Sequence, residues 1–191
     1  MNNKLLTFIK PYLSYIDSGD FFRKPFSWLY AVIAFINVLF PFYILYNAIS
    51  NDIFDAPGKI IALFIVVWLI LLAAGWISFQ LWWDRSPKVV TATGGDDEYV
   101  ATPVFAHFIQ TLGEWLGTWI AVVGTLVSLL LTLTQGAEMG AILSHFGLPS
   151  IGTGIIGILA MPIYGFLIIV ASRCSAELIK ALVAIAKNTK K

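Results

Sequence analysis

Four stretches of this chain are too long and too apolar for a water-soluble fold: residues 26–49, 60–83, 105–133 and 151–172. Three of them hold no Asp, Glu, Lys or Arg, and the third holds only Glu114. A helix rises about 1.5 Å per residue, so about 20 apolar residues cross the hydrocarbon of a bilayer. Charge, Gly, Pro or Asn flanks each stretch. Backbone N–H and C=O groups in lipid must be satisfied inside the segment, which makes each stretch an α-helix. The alternating pattern of a membrane barrel is absent. The expected fold is therefore all-α, a polytopic membrane protein with four transmembrane helices. Composition agrees. The chain is 59% hydrophobic and 12% charged, where a soluble domain is about half apolar and about a quarter charged.

The basic residues divide unevenly between the two sides. Lys4, Lys10, Arg23, Lys24, Arg85, Lys88, Arg173, Lys180, Lys187, Lys190 and Lys191 fall on one side, and only Lys59 falls on the other. Eleven against one is a strong positive-inside bias and puts both termini in the cytoplasm. Trp28, Tyr30, Trp76, Trp82, Trp83, Trp115 and Trp119 read as interface anchors. The run from Leu5 to Ile9 ends at Lys10–Pro11, too short for a secretory signal, so the N-terminus is expected to be kept.

Three regions follow. Residues 1–25 read as a cytoplasmic-side segment. Within it Leu5, Leu6, Phe8, Ile9, Tyr12, Leu13 and Ile16 recur at helical spacing, as in an amphipathic helix lying in the interface, bent at Pro11. Residues 26–172 form the four-helix domain, with a cytoplasmic loop at 84–103 that holds Ser86–Pro87, Gly94–Gly95 and Asp96–Asp97–Glu98. Residues 173–191 form a basic helical tail that extends the last span. Glu177 there is spaced to pair with Arg173 and Lys180.

The third span carries the clearest pattern. Thr111, Thr118, Thr125 and Thr132 are spaced by seven, and His107, Gln110 and Glu114 extend that face. Gly113, Gly117, Ala121, Gly124 and Ser128 border it. Two readings compete. Small residues let another helix approach closely, as in GxxxG packing, either the fourth span or a second copy. Alternatively the face lines a polar path, with Glu114, His107, Gln110, Thr118 and Arg173 as an ion site. An ionisable group within a span is a functional candidate by default, and Glu114 lies roughly 13 Å deep if the helix enters lipid at Phe105. A plain ion pair with Arg173 is the competing role. On the packing reading, Glu114→Gln is expected to be tolerated, because one buried charge disappears and the shape is kept. Pro41 and Pro162 are expected to kink the first and fourth spans. Asn37 can cross-link helices.

Other chemistries find little support. The single cysteine, Cys174, excludes an internal disulfide and a CxxC pair. His107 and His145, the two histidines, fall near opposite faces, which argues against a haem between them. The acids of 96–98 lack a second ligand group and read as solvated. Phosphate-loop, HExxH and GxSxG motifs are absent. No metal, cofactor or nucleic-acid partner is expected, and the net charge of +1 gives no reason for one.

The ending Arg173-x-x-x-Glu177, with the Ala-rich helix after it and Ala186–Lys187–Asn188–Thr189, resembles small uncharacterised bacterial integral membrane proteins grouped as a domain of unknown function. The resemblance covers the last span and tail. It implies a bacterial inner membrane and no activity. The expected function is a non-enzymatic membrane subunit or scaffold packing within a larger assembly or as a homo-oligomer. The alternative is an oligomeric channel or small transporter with its path along the third span.

Overall fold

The computed structural model describes residues 9–92, 99–134 and 154–189. Helix α1 spans Lys10–Asp17, α2 Asp20–Ser50, α3 Gly58–Thr91, α4 Ala101–Thr134 and α5 Ile155–Thr189. A 3-10 turn at Ile53–Asp55 lies between α2 and α3. No strand occurs among the described residues. Helices α2 to α5 are each long and apolar enough to cross a membrane. Their most apolar windows are only 11% to 22% buried within the protein, so most of that apolar surface faces outward. Surface of this kind is stable in lipid and not in water.

The helices form two antiparallel hairpins, α2 with α3 and α4 with α5. In the first, Gly75 sits against α2 so closely that a Cβ there would lie 2.6 Å from the Asn37 carbonyl oxygen. That carbonyl is one that Pro41 cannot serve, because a proline four residues on has no N–H to give. Gly75 thus closes over the gap that Pro41 leaves, and Trp68 Nε1 donates to the Pro41 carbonyl at 2.9 Å. Helices α2 and α5 run on through Pro41, which is buried, and Pro162, which is exposed.

In the second hairpin, small residues set the separation. A Cβ on Gly113 would run into Ser172, and one on Gly117 would lie 2.5 Å from the Gly165 carbonyl oxygen. Gly165 in turn faces Gly117 and Ala121, and Gly124 faces Met161. The small face of α4 is therefore covered by α5.

The hairpins meet chiefly at one end. Tyr30, Ala34, Trp82, Val89, Val100 and Val104 form a buried cluster there, with Phe26, Phe108 and Trp115 packed around it. At the far end a smaller cluster joins Leu63 to Leu131.

Several boundaries differ from the sequence reading. Asp84–Thr91 are not loop but the last two turns of α3. Tertiary contacts hold them helical. Val89 is buried, Ser86 Oγ donates to the Ser27 carbonyl at 2.9 Å, and Lys88 pairs with Asp84 at 2.5 Å. Helix α4 starts at Ala101, before the expected 105, and α2 starts at Asp20, before 26. Pro11 stands in the first turn of α1, where a missing N–H costs nothing, so it opens the helix instead of bending it. Gly19, at φ +74°, turns the chain from α1 into α2, and a Cβ there would strike Val100. The expected features at 4–8, Gly94–Gly95, Asp96–Glu98, His145 and 151–153 lie outside the described residues.

Candidate functional site

Helix α4 presents its polar side chains to three different neighbours. Glu114 is the centre. Its Oε1 accepts from Arg173 Nη2 at 2.8 Å and Nε at 3.0 Å, and from Gln110 Nε2 at 3.0 Å. Its Oε2 accepts from Arg85 Nη2 at 3.0 Å. The carboxylate side chain is 10% exposed, while Arg85 and Arg173 are 30% and 55% exposed. Lys180 Nζ donates to Gln110 Oε1 at 3.2 Å. One acid thus ties α3, α4 and α5 together. Arg173 and Lys180 both turn to α4, so the expected pairing with Glu177 gives way to a partner that needs them more. A buried carboxylate without donors is far costlier than an exposed one.

Arg85 lies two residues beyond the apolar stretch 60–83, and Arg173 immediately follows 151–172. Their shared contact places Glu114 level with the ends of those stretches and not at mid-span. The first three turns of α4 therefore project beyond the apolar zone.

A second group sits one turn earlier. Tyr30 is fully buried, with its hydroxyl 2.9 Å from His107 Nδ1 and 3.4 Å from Thr111 Oγ1. Thr111 donates its own proton to the His107 carbonyl at 2.9 Å. The Tyr30 ring is edge-on to Trp82 at 5.0 Å and to Phe108 at 6.0 Å. Farther along, Trp115 Nε1 donates to Asn37 Oδ1 at 3.1 Å, while Asn37 Nδ2 donates to the Ile33 carbonyl at 2.8 Å. Asn37 thus bridges α2 and α4. Among the described residues, the indole N–H of buried Trp82 has no hydrogen-bond partner.

The remaining residues of the expected polar face do not join this site. Thr118 is exposed and lines a shallow groove with Ala74, Ile77 and Ser78 of α3. Thr125 donates to the carbonyl of Ala121, and Thr132 to that of Ser128 at 2.7 Å, both back into their own helix. A π turn at Ile120–Gly124 separates Thr125 and Thr132 from the part of α4 that carries the site. It holds one extra residue, so residues on its two sides are offset by about 100° from the register of an unbroken α-helix. A spacing of seven lines up Thr118 and Thr125 only if no such turn intervenes. The continuous face expected from the sequence is thus broken in two.

Chemically, Glu114 is well supplied with donors. Two guanidinium groups and an amide reach the two oxygens, three donors on Oε1 and one on Oε2, and the two positive charges at hand suit a clasp better than the transit of a cation. Among the described residues, no three His, Cys, Asp or Glu side chains lie together as metal ligands would. Arg85, Tyr30 and Trp82 are the members that sequence reasoning missed as site residues. The signal for Arg85 was its place on the same basic side as Arg173, just past an apolar end. No family model, curated protein or solved structure matches the chain.

Proposed function

We propose that this protein is a non-enzymatic, multi-pass membrane subunit whose role is structural, packing within a larger assembly of membrane proteins. The observation that carries this reading is the self-contained polar site. Glu114, Gln110, His107, Thr111 and Asn37 all bond to groups of the same chain, and each bond joins or braces helices. Side chains spent in this way hold a scaffold together and leave little for binding and releasing a substrate. The small face of α4, the strongest candidate for a path, is covered by α5. What the molecule offers outward is apolar helix, including Ile155, Ile156, Leu159 and Ile163 at the start of α5. Such surface is met by lipid or by another spanning helix.

The basic bias supports an orientation with both termini cytoplasmic, and the resemblance of the tail supports a bacterial inner membrane. In that frame α1 lies along the cytoplasmic interface, with Ile9, Tyr12 and Leu13 outward. The tail of α5 projects into the cytoplasm.

Purification of a tagged full-length chain from its native membrane in mild detergent tests the assignment. Other membrane proteins are expected to co-purify in fixed ratio. A pure homo-oligomer that conducts ions in liposomes would overturn the reading in favour of a channel along α4.

A further inference from the structure

Three cations gather around Glu114 and Gln110 where α3, α4 and α5 meet. Arg85 and Arg173 share Glu114, and Lys180 donates only to the neutral amide of Gln110. The neighbouring lysines are balanced: Lys88 pairs with Asp84, and Lys24 with Asp20. Among the described residues Arg85, Arg173 and Lys180 face two acids, buried Glu114 and exposed Glu177 on α5, which leaves a surplus of one positive charge on side chains that are partly or largely open. Glu114 also fixes the guanidinium of Arg173 through Nε and Nη2, leaving Nη1 directed away from the bond.

Depth decides what such a cluster meets. Arg85 and Arg173 stand at the ends of the apolar stretches, the level of lipid phosphates. Lys180 is seven residues further along α5, roughly 10 Å nearer the water, at the level of a polar headgroup. Below Arg173, the exposed side chains Val170, Leu167 and Phe166 of α5 offer an apolar wall for acyl chains. A phosphate above an apolar wall, with a surplus of fixed cations, is the chemistry of an anionic phospholipid.

We infer that Arg85, Arg173 and Lys180 form a docking site for the phosphate and headgroup of an anionic phospholipid, with Glu114 holding the two arginines in place. The lipid would supply the remaining counter-charge and brace α3 against α5, whose arginines share the Glu114 side chain. This inference stands apart from the scaffold assignment and can fail without it.

The test uses the full-length chain in nanodiscs of mixed phosphatidylglycerol and phosphatidylcholine, with retained lipid counted by native mass spectrometry after release. Wild type is expected to retain phosphatidylglycerol over phosphatidylcholine. Lys180→Gln, an exposed change that breaks no ion pair, is expected to lower that preference about fivefold, the loss of one cation near the phosphate plane. Lys24→Gln, at the same end but already paired, is expected to leave it unchanged. Equal retention of both lipids by wild type overturns the proposal, and so does an equal loss in the two lysine variants, which marks a diffuse basic surface. Displacement of the lipid by millimolar inorganic phosphate at fixed ionic strength would also overturn it, in favour of a soluble anion.

Discussion

Replacing Glu114 by Gln keeps the shape of the side chain but leaves Arg85 and Arg173 facing each other without a counter-charge. Tolerance was the natural expectation for a lone acid in a span, where neutralisation removes a cost. Two arginines reverse the sign. Both are partly exposed, so the effect is moderate: Glu114→Gln is expected to destabilise the bundle by about 1–2 kcal/mol. Arg173→Gln should cost a similar amount, and the double variant less than the two together, because each removal lessens the charge left by the other. Thermal unfolding of the purified variants in detergent checks this, and strictly additive losses would show that the two side chains do not interact. The Glu114–Arg173 contact was legible in the sequence, since both lie toward one side of the membrane. Arg85 was not, because Ser86–Pro87 makes residues 84–103 look like loop, and only the buried Val89 and the Ser27–Ser86 contact show otherwise.

At the scale of one helix, α4 divides at its π turn, and the two halves answer differently to change. Gly117 lies against the Gly165 backbone, which cannot yield, so Gly117→Leu should separate α4 from α5 and cost several kcal/mol, about 3 by analogy with overpacked cores. The atoms nearest Gly124 belong to the flexible Met161 side chain, so Gly124→Leu should be milder. Thr125→Val removes a hydroxyl bonded to its own helix and should cost about 0.6 kcal/mol or less. Retention of a single folded species on size exclusion ranks the three, and a Gly117→Leu protein that behaves as wild type would contradict the packing. The π turn yields a sharper test. Deleting Val122, an exposed residue within it, should convert the turn to ordinary α-helix and leave both flanks in place. Deleting Leu129, exposed but outside it, should swing one flank by about 100° and abolish folding. Equal damage from both deletions would show that the turn is not where the extra residue resides. The small-residue face was readable from the spacing of Gly, Ala and Ser along the helix, which lets another helix approach closely. The π turn was not. Its residues, Ile120–Gly124, carry no signal that sets them apart from the rest of the span, and the turn packs against α5.

For the whole molecule, length and hydropathy alone foretold the four long apolar helices, because the physics of lipid leaves a chain of this composition few other choices. How the hairpins meet was not foretold. It depends on which aromatic side chains face inward, and Tyr30 and Trp82 look in sequence like any interface aromatics. The proposed orientation, with both termini cytoplasmic, rests on the charge bias: reporters fused at Lys191 and between Asp52 and Pro57 should report opposite sides, the first cytoplasmic, and a periplasmic C-terminus would refute it. The uneven joining of the hairpins leads to the last prediction. Each hairpin has its own close glycine contacts, Gly75 in the first and Gly113, Gly117 and Gly165 in the second, and needs nothing from the other to satisfy its backbone. Between them stand the cluster around Tyr30 and Trp82 and the Arg85–Glu114 pair, both toward one end, with the Asn37–Trp115 bond nearer the middle. A chain split between residues 95 and 96 should therefore yield two halves that insert separately and find each other when made together. Co-purification of an untagged half with a tagged one measures this. Trp82→Ala empties the centre of the shared cluster, at a cost of about 3–5 kcal/mol, and should abolish recovery while leaving each hairpin inserted. Leu63→Ala, in the smaller far cluster, should reduce recovery only slightly. If the two substitutions act alike, the hairpins are joined along their whole length and the single-end model fails.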